Sequence, residues 1–131
     1  MTILSGLVSS IPAETSISRS SVALGRFNYA VLIKQYGFAV KSGIEQRDAA
    51  IKMGGSGATT LLFKDNKLVI SGTSYDSLSK EPYTAKLLIE KLNPKDGDVI
   101  IIGSAVEDVR IAEFAAKSAA LLTIVNHEVH V

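Results

Sequence analysis

The chain has 131 residues, 47% of them hydrophobic and 21% charged, with 14 basic against 13 acidic residues and a formal net charge of +1. That size and apolar content suit one core, so we expect a single mixed α/β domain over residues 1–131. The near-balance of charge leaves no footprint for a nucleic acid, and with no cysteine in the sequence disulfides, cysteine-zinc sites and thiol nucleophiles are excluded. No apolar run has the length of a membrane span, and "MTILSGLVSS" lacks the basic start of a secretory leader. A cytoplasmic location and no membrane partner are the expectation.

The chain opens with Ile3, Leu4, Leu7, Val8 and Ile11 at helical spacing, ahead of Pro12, which predicts a short amphipathic helix. From Ser16 to Lys41 the residues are β-branched and aromatic, with Gly25 and Gly37 as punctuation. "SVAL" and "YAVLIKQYGFAV" predict three short strands, the last two joined near Gln35 to Gly37. "KSGIEQRDAAIKMGG" then reads as a helix. Ser42 and Glu45 fit a capping box, and Gly54 is the expected stop because it takes positive φ freely.

"TTLLFKDNKLVISG" predicts a hairpin turning at Asp65-Asn66, since both residues tolerate left-handed conformations. "SKEPYTAKLLIEKLNP" predicts a helix with Pro82 in its first turn. Its buried stripe is Ala85, Leu88, Ile89 and Leu92, and Asn93-Pro94 ends it. "DVIIIG" is the uniform apolar run of a strand buried on both faces. "SAVEDVRIAEFAAKSAALL" is the strongest helical pattern. Ser104 and Glu107 would cap it, and Glu113 precedes Lys117 by one turn. "TIVNHEVHV" closes the chain as a strand.

These elements predict a mixed α/β fold with about four helices. From Lys67 onward the order is β-α-β-α-β, which implies a parallel half-sheet built by crossovers, extended by antiparallel N-terminal strands.

The glycines of "IKMGGSGATTLLF" resemble a phosphate loop in composition but not in order. Phosphate loops run strand, glycine turn, helix, so that the anion meets a helix N-terminus. Here a helix comes first, and the spacing fits neither common glycine signature. The expected role is helix stop and chain turn. The productive order occurs in "DVIIIGSAVEDVR" and in "LVISGTSYDSLSKEP". With three parallel strands, one carboxyl edge would collect Thr73, Ser74, Tyr75 and Asp76, then Gly103, Ser104 and Glu107, then Asn126 and His127. These form the candidate ligand-binding set, with Glu107 serving first as a cap.

No catalytic set is legible. The two histidines, His127 and His130, are near the C-terminus, and no G-x-S-x-G elbow occurs. On a strand the two would face opposite sides, so no metal site is expected. No cofactor is implied. Glu45, Arg47 and Asp48 read as a solvated helix face, and Arg26 as a surface residue at a turn. Ala105, Ala112, Ala116 and Ala119 give the last long helix a small-residue side suited to close packing, either on this chain's own sheet or on a second copy. The functional expectation is a small, non-catalytic interaction or regulatory module that self-associates, a dimer being favoured. The alternative is a binding domain for a nucleotide or another phosphorylated or polar small molecule at the carboxyl edge.

Overall fold

Every residue of Val99–Ala105 is buried, and the rest of the molecule is arranged about this strand. The computed structural model describes residues 12–34, 43–70 and 81–130, with side chains to residue 124. The described elements are β1 (Ala13–Ile17), β2 (Phe27–Ile33), α1 (Ile44–Lys52), β3 (Gly57–Lys64), β4 (Lys67–Ile70), α2 (Pro82–Leu92), β5 (Val99–Ala105) and α3 (Val109–His130). The strands form one five-stranded sheet in the order β1-β2-β5-β3-β4. Every neighbouring pair is antiparallel.

Two cores sit on the two faces of this sheet. On one, Leu88 and Leu92 of α2 join Ala30, Leu32, Leu61, Phe63, Ile100 and Ile102. On the other, Ala116, Ala119, Ala120 and Ile124 of α3 join Val31, Ile33, Val99 and Ile101. Alternate residues of β2 and β5 thus serve opposite cores, which is why "VIIIG" has no polar position. Each large aliphatic side chain so buried contributes about 1.5–3 kcal/mol. Helix α1 packs beside α3, where the buried Gln46 Nε2 donates to Thr123 Oγ1 at 2.8 Å.

Several local expectations hold. The β3–β4 hairpin turns at Asp65 and Asn66, with φ of 53° and 62°, as a type I′ turn requires. Pro82 stands in the first turn of α2, and Asn93 ends it in the left-handed region. Gly54, at φ 93°, ends α1. Its N–H donates to the Ile51 carbonyl, and the Gly55 N–H to that of Ala50, which is a Schellman closure.

The parallel half-sheet is wrong. β5 is antiparallel to both of its neighbours, β2 and β3. β4 and β5 do point the same way and are joined through α2, as the crossover rule implies. They are not adjacent, because β3 lies between them. The closing strand is wrong as well: α3 runs unbroken through "TIVNHEVH". Thr123 and Ile124 are buried, and the Thr123 hydroxyl donates to the Ala119 carbonyl at 2.9 Å. Tertiary packing overrides the β preference of this run. Three helices stand among the described residues, against about four expected. The expected N-terminal helix and the strand expected after Gly37 lie outside them. "SVAL" is not a strand but part of the β1–β2 connection, and Ala13–Ile17 takes the strand position.

Candidate functional site

Antiparallel pairing brings the end of β5 beside the beginnings of two strands. Ser104 is opposite Asn28 of β2 on one side and opposite Gly57 of β3 on the other. Both polar side chains are buried. The Ser104 Oγ donates to Asn28 Oδ1 at 2.7 Å. The same oxygen accepts from the Gly25 N–H at 3.0 Å, and Asn28 Nδ2 donates to the Gly25 carbonyl at 2.9 Å. Ser104 therefore belongs to β5 and does not cap a helix. The cap of α3 is Asp108, whose Oδ1 accepts from the N–H groups of Arg110 at 2.7 Å and Ile111 at 3.1 Å.

Two glycines permit this crowding. A Cβ on Gly25 would stand 2.7 Å from the Ser104 Cβ, and one on Gly55 would stand 2.9 Å from the Ser104 carbonyl oxygen. Ser56 then donates its backbone N–H to that carbonyl at 2.8 Å. The "GGSG" segment is thus the turn expected, and it also brings Ser56 and Gly57 to the end of β5.

A cavity of about 320 Å³ opens here, lined among others by Gly25, Arg47, Ser56, Gly57, Thr59 and Ser104. Arg47 and Thr59 also line a smaller chamber of about 170 Å³, with Gly43, Ile44, Thr60 and Ile70. This chamber lies beside the described end of β4, where Ile70 pairs with Leu61. On the other side of the Ser104–Asn28 pair is an open depression of about 440 Å³ with Ser16, Arg26, Asn28, Leu87 and Val109 on its walls. The Arg26 guanidinium there stacks over the Phe27 ring at 5.5 Å.

The expected site residues divide. Gly103 and Ser104 are at the end of β5. Gly103, however, faces α3 and not a ligand: a Cβ there would come within 2.5 Å of the Ala116 nitrogen. Thr73, Ser74, Tyr75 and Asp76 lie outside the described residues. Asn126 and His127 are in the last turns of α3, a helix that starts at this edge and runs back along the sheet. His127 follows Ala116 by eleven positions, about 16 Å of helix axis, so the structure does not bring it to Ser104. Glu107 follows β5 and caps nothing. Sequence reasoning missed Arg47, because only the packing of α1 on β3 makes a helix-face arginine the wall of two chambers.

A separate polar cluster joins β1, β2 and α3. Tyr29 donates to Glu14 at 2.7 Å, and Lys117 pairs with Glu14 at 3.0 Å and Glu113 at 2.6 Å. Burial and the adjoining Glu14 carboxylate push the Tyr29 hydroxyl up to about 12. The hydrogen bond to Glu113 raises Lys117, against a smaller opposing effect of burial. No group of three or more potential metal ligands occurs among the described residues, and no described helix is long and apolar enough to cross a membrane.

The molecule is thus an α/β protein with a five-stranded antiparallel sheet covered by helices on both faces. Residues 24–124 match the family described as a domain of unknown function, DUF4443, and the chain belongs to that family. Among solved structures it is similar to the hypothetical protein PH0730 from Pyrococcus horikoshii OT3, at 25% identity and a TM-score of 0.72 over 95% of this chain. It covers 62% of that protein's chain, so it spans less than two-thirds of that length. No curated protein matches.

Proposed function

We propose that this protein is a binding domain for a small polar or anionic molecule, acting in the cytoplasm, and that the ligand sits at the end of β5. The supporting observation is the cavity of about 320 Å³ lined by Arg47, Ser56, Thr59 and Ser104 together with Gly25 and Gly57. These groups come from four separate segments of chain. The volume is in the range of small-molecule sites, and a few convergent polar groups among apolar walls are what such sites use to orient a ligand. Arginine stays protonated at all relevant pH and donates through five N–H groups, so it holds charge without moving protons. The described walls contain no other ionisable side chain, which favours binding over acid–base catalysis.

Thermal unfolding against nucleotides, sugar phosphates and small carboxylates tests this reading. A ligand present at 100 times its dissociation constant adds about 2.7 kcal/mol. The expected result is a selective rise in Tm that Arg47→Gln abolishes. An equal rise in that variant would move the ligand elsewhere.

A second reading has its own support. Leu24 and Val106, 66% and 61% exposed, stand near the same edge, where contact with a second copy would cover them. On that reading the domain self-associates, and Leu24→Ser with Val106→Ser would lower the mass seen by light scattering.

A further inference from the structure

We infer that the ligand of this edge is an elongated small molecule with a phosphate at each end, one held in the main cavity by Arg47 and the other in the open depression by Arg26. The inference rests on the ligand-binding reading above and names the class of ligand. The sequence has four arginines, Arg19, Arg26, Arg47 and Arg110, and all four reach the end of the sheet where β5 finishes. Arg19 Nε donates to the Gly25 carbonyl at 3.3 Å. Arg26 lines the depression with Asn28 and Val109, and Arg110 follows Val109 at the start of α3. Arg47 lines the main cavity. By contrast Lys34, Lys64, Lys67 and Lys95 stand at the opposite end, around the β3–β4 hairpin and the start of β5. Phosphate separates the two kinds of cation: arginine offers a flat fork of donors that matches two oxygens, and lysine a point charge.

The Arg26 guanidinium lies over the Phe27 ring at 5.5 Å, and no carboxylate pairs with it among the described residues. Stacking occupies one face of the guanidinium and leaves the N–H groups at its rim for an oxyanion. The peptide leading into Arg26 is fixed, because the Gly25 N–H donates to Asn28 Oδ1 at 3.0 Å and the Gly25 carbonyl accepts from Asn28 Nδ2 at 2.9 Å. Arg47 meets Asp48 at 3.7 Å, with both side chains more than half exposed, so its fork is not committed either. No acidic side chain lines either hollow among the described residues. Ser104 lines the cavity, Asn28 lines the depression, and the two are bonded at 2.7 Å, so the hollows adjoin. Gly57 of β3 and Asn28 of β2 flank Ser104 on opposite sides, which sets the two walls two strand spacings apart, about 10 Å. A ligand that reaches both arginines is therefore elongated, and a six-carbon sugar phosphorylated at both ends has that form.

The test is calorimetric titration of the full chain with fructose 6-phosphate and with fructose 1,6-bisphosphate at fixed ionic strength. The bisphosphate is expected to bind roughly tenfold more tightly, since hydrogen bonds to a charged group are the strong ones. Arg26→Gln should abolish that gain and leave the monophosphate unchanged, whereas Arg47→Gln should weaken both. Lys67→Gln removes the same charge at the opposite end and should alter neither. Equal affinity for the two sugars, a gain that survives Arg26→Gln, or an equal loss in Lys67→Gln would overturn the inference and leave the main cavity standing. Binding of both sugars unaffected by Arg47→Gln would overturn the reading of the main cavity itself. No binding of either sugar would overturn the bisphosphate assignment, and the thermal unfolding panel then decides separately whether the cavity takes another anion.

Discussion

The Ser104 hydroxyl reaches Asn28 Oδ1 at 2.7 Å, across 76 residues of sequence, and this bond fastens the end of β5 to the beginning of β2. Asn28 does more than Ser104 does. Its carboxamide also takes and returns the backbone hydrogen bonds of Gly25. Removing Ser104 Oγ leaves Asn28 Oδ1 with the Gly25 N–H, so Ser104→Ala should cost about 1 kcal/mol. Asn28→Ala deletes all three bonds and strands the buried Gly25 N–H, while the Gly25 carbonyl keeps only Arg19 Nε at 3.3 Å, at about 2–3 kcal/mol. Urea unfolding of the two variants checks the order. Equal losses would mean that the Gly25 loop finds other partners.

Gly103 is where helix α3 meets the sheet most closely. The nearest atoms to an added Cβ are backbone, at 2.5 Å from the Ala116 nitrogen and 2.6 Å from the Ala112 carbonyl oxygen. Backbone within a helix cannot move aside as a side-chain tip can. Gly103→Ala is therefore expected to destabilise by about 3 kcal/mol, at the upper end of overpacking costs, with a fall in Tm seen by calorimetry. A near-normal Tm would show that α3 can lift from β5. The same geometry makes Gly103 a poor position for testing ligand binding, since any side chain there unseats the helix first.

Ala112, Ala116 and Ala119 of α3 and the uniform apolar run of β5 announce this contact in the sequence, whereas Ala105, read with the helix alanines, belongs to β5. Hairpin, α2 and the Gly54 stop are legible for the same reason, because each is decided by residues within a few positions of one another. Strand adjacency is not decided locally. The β4–α2–β5 unit fixes a direction but is silent on whether β3 inserts between its strands, and that insertion turns a parallel half-sheet into an antiparallel one. The candidate site shares this limit. Gly103 and Ser104 could be placed at a strand end, yet Arg47 joins Ser56, Gly57 and Ser104 only through the packing of α1 on β3. Thr123-Ile124 looked like a strand because β-branching is local and the buried bond to Gln46 is not.

Asp108 starts α3 in place of the Ser104–Glu107 pair read from spacing. Its carboxylate accepts two N–H groups of the first turn and lies at the positive end of a 22-residue helix. Replacing such a cap by alanine costs about 0.5–2 kcal/mol, and we expect Asp108→Ala near 1 kcal/mol by chemical denaturation. Glu107→Ala should fall within about 0.5 kcal/mol of the parent. A larger effect at Glu107 than at Asp108 would reverse the assignment.

The Glu14–Tyr29–Lys117 cluster contributes to how stability depends on pH. Burial alone would raise the Glu14 carboxyl, but the hydrogen bonds from Tyr29 and Lys117, with the charge of Lys117, outweigh it and hold the group below its ordinary range. A depressed carboxyl contributes stability that is complete above its unfolded pKa and is lost as pH falls through the folded one. Lys117 is raised, chiefly by Glu113, and Tyr29 is pushed up to about 12. For these two the unfolded chain gives up its protons first, so their contribution is complete below about pH 10 and is lost as pH climbs through the folded values. The Lys117 and Glu14 side chains are 34% and 36% exposed, so solvent screening limits each pair to about 1 kcal/mol or less. Stability measured by urea unfolding at fixed ionic strength should therefore fall at both ends of the range. Tyr29→Phe should flatten the alkaline fall, and it should shrink the acid fall by removing one of the two hydrogen bonds that depress Glu14. An alkaline limb unchanged in that variant would assign the loss to Lys117 alone.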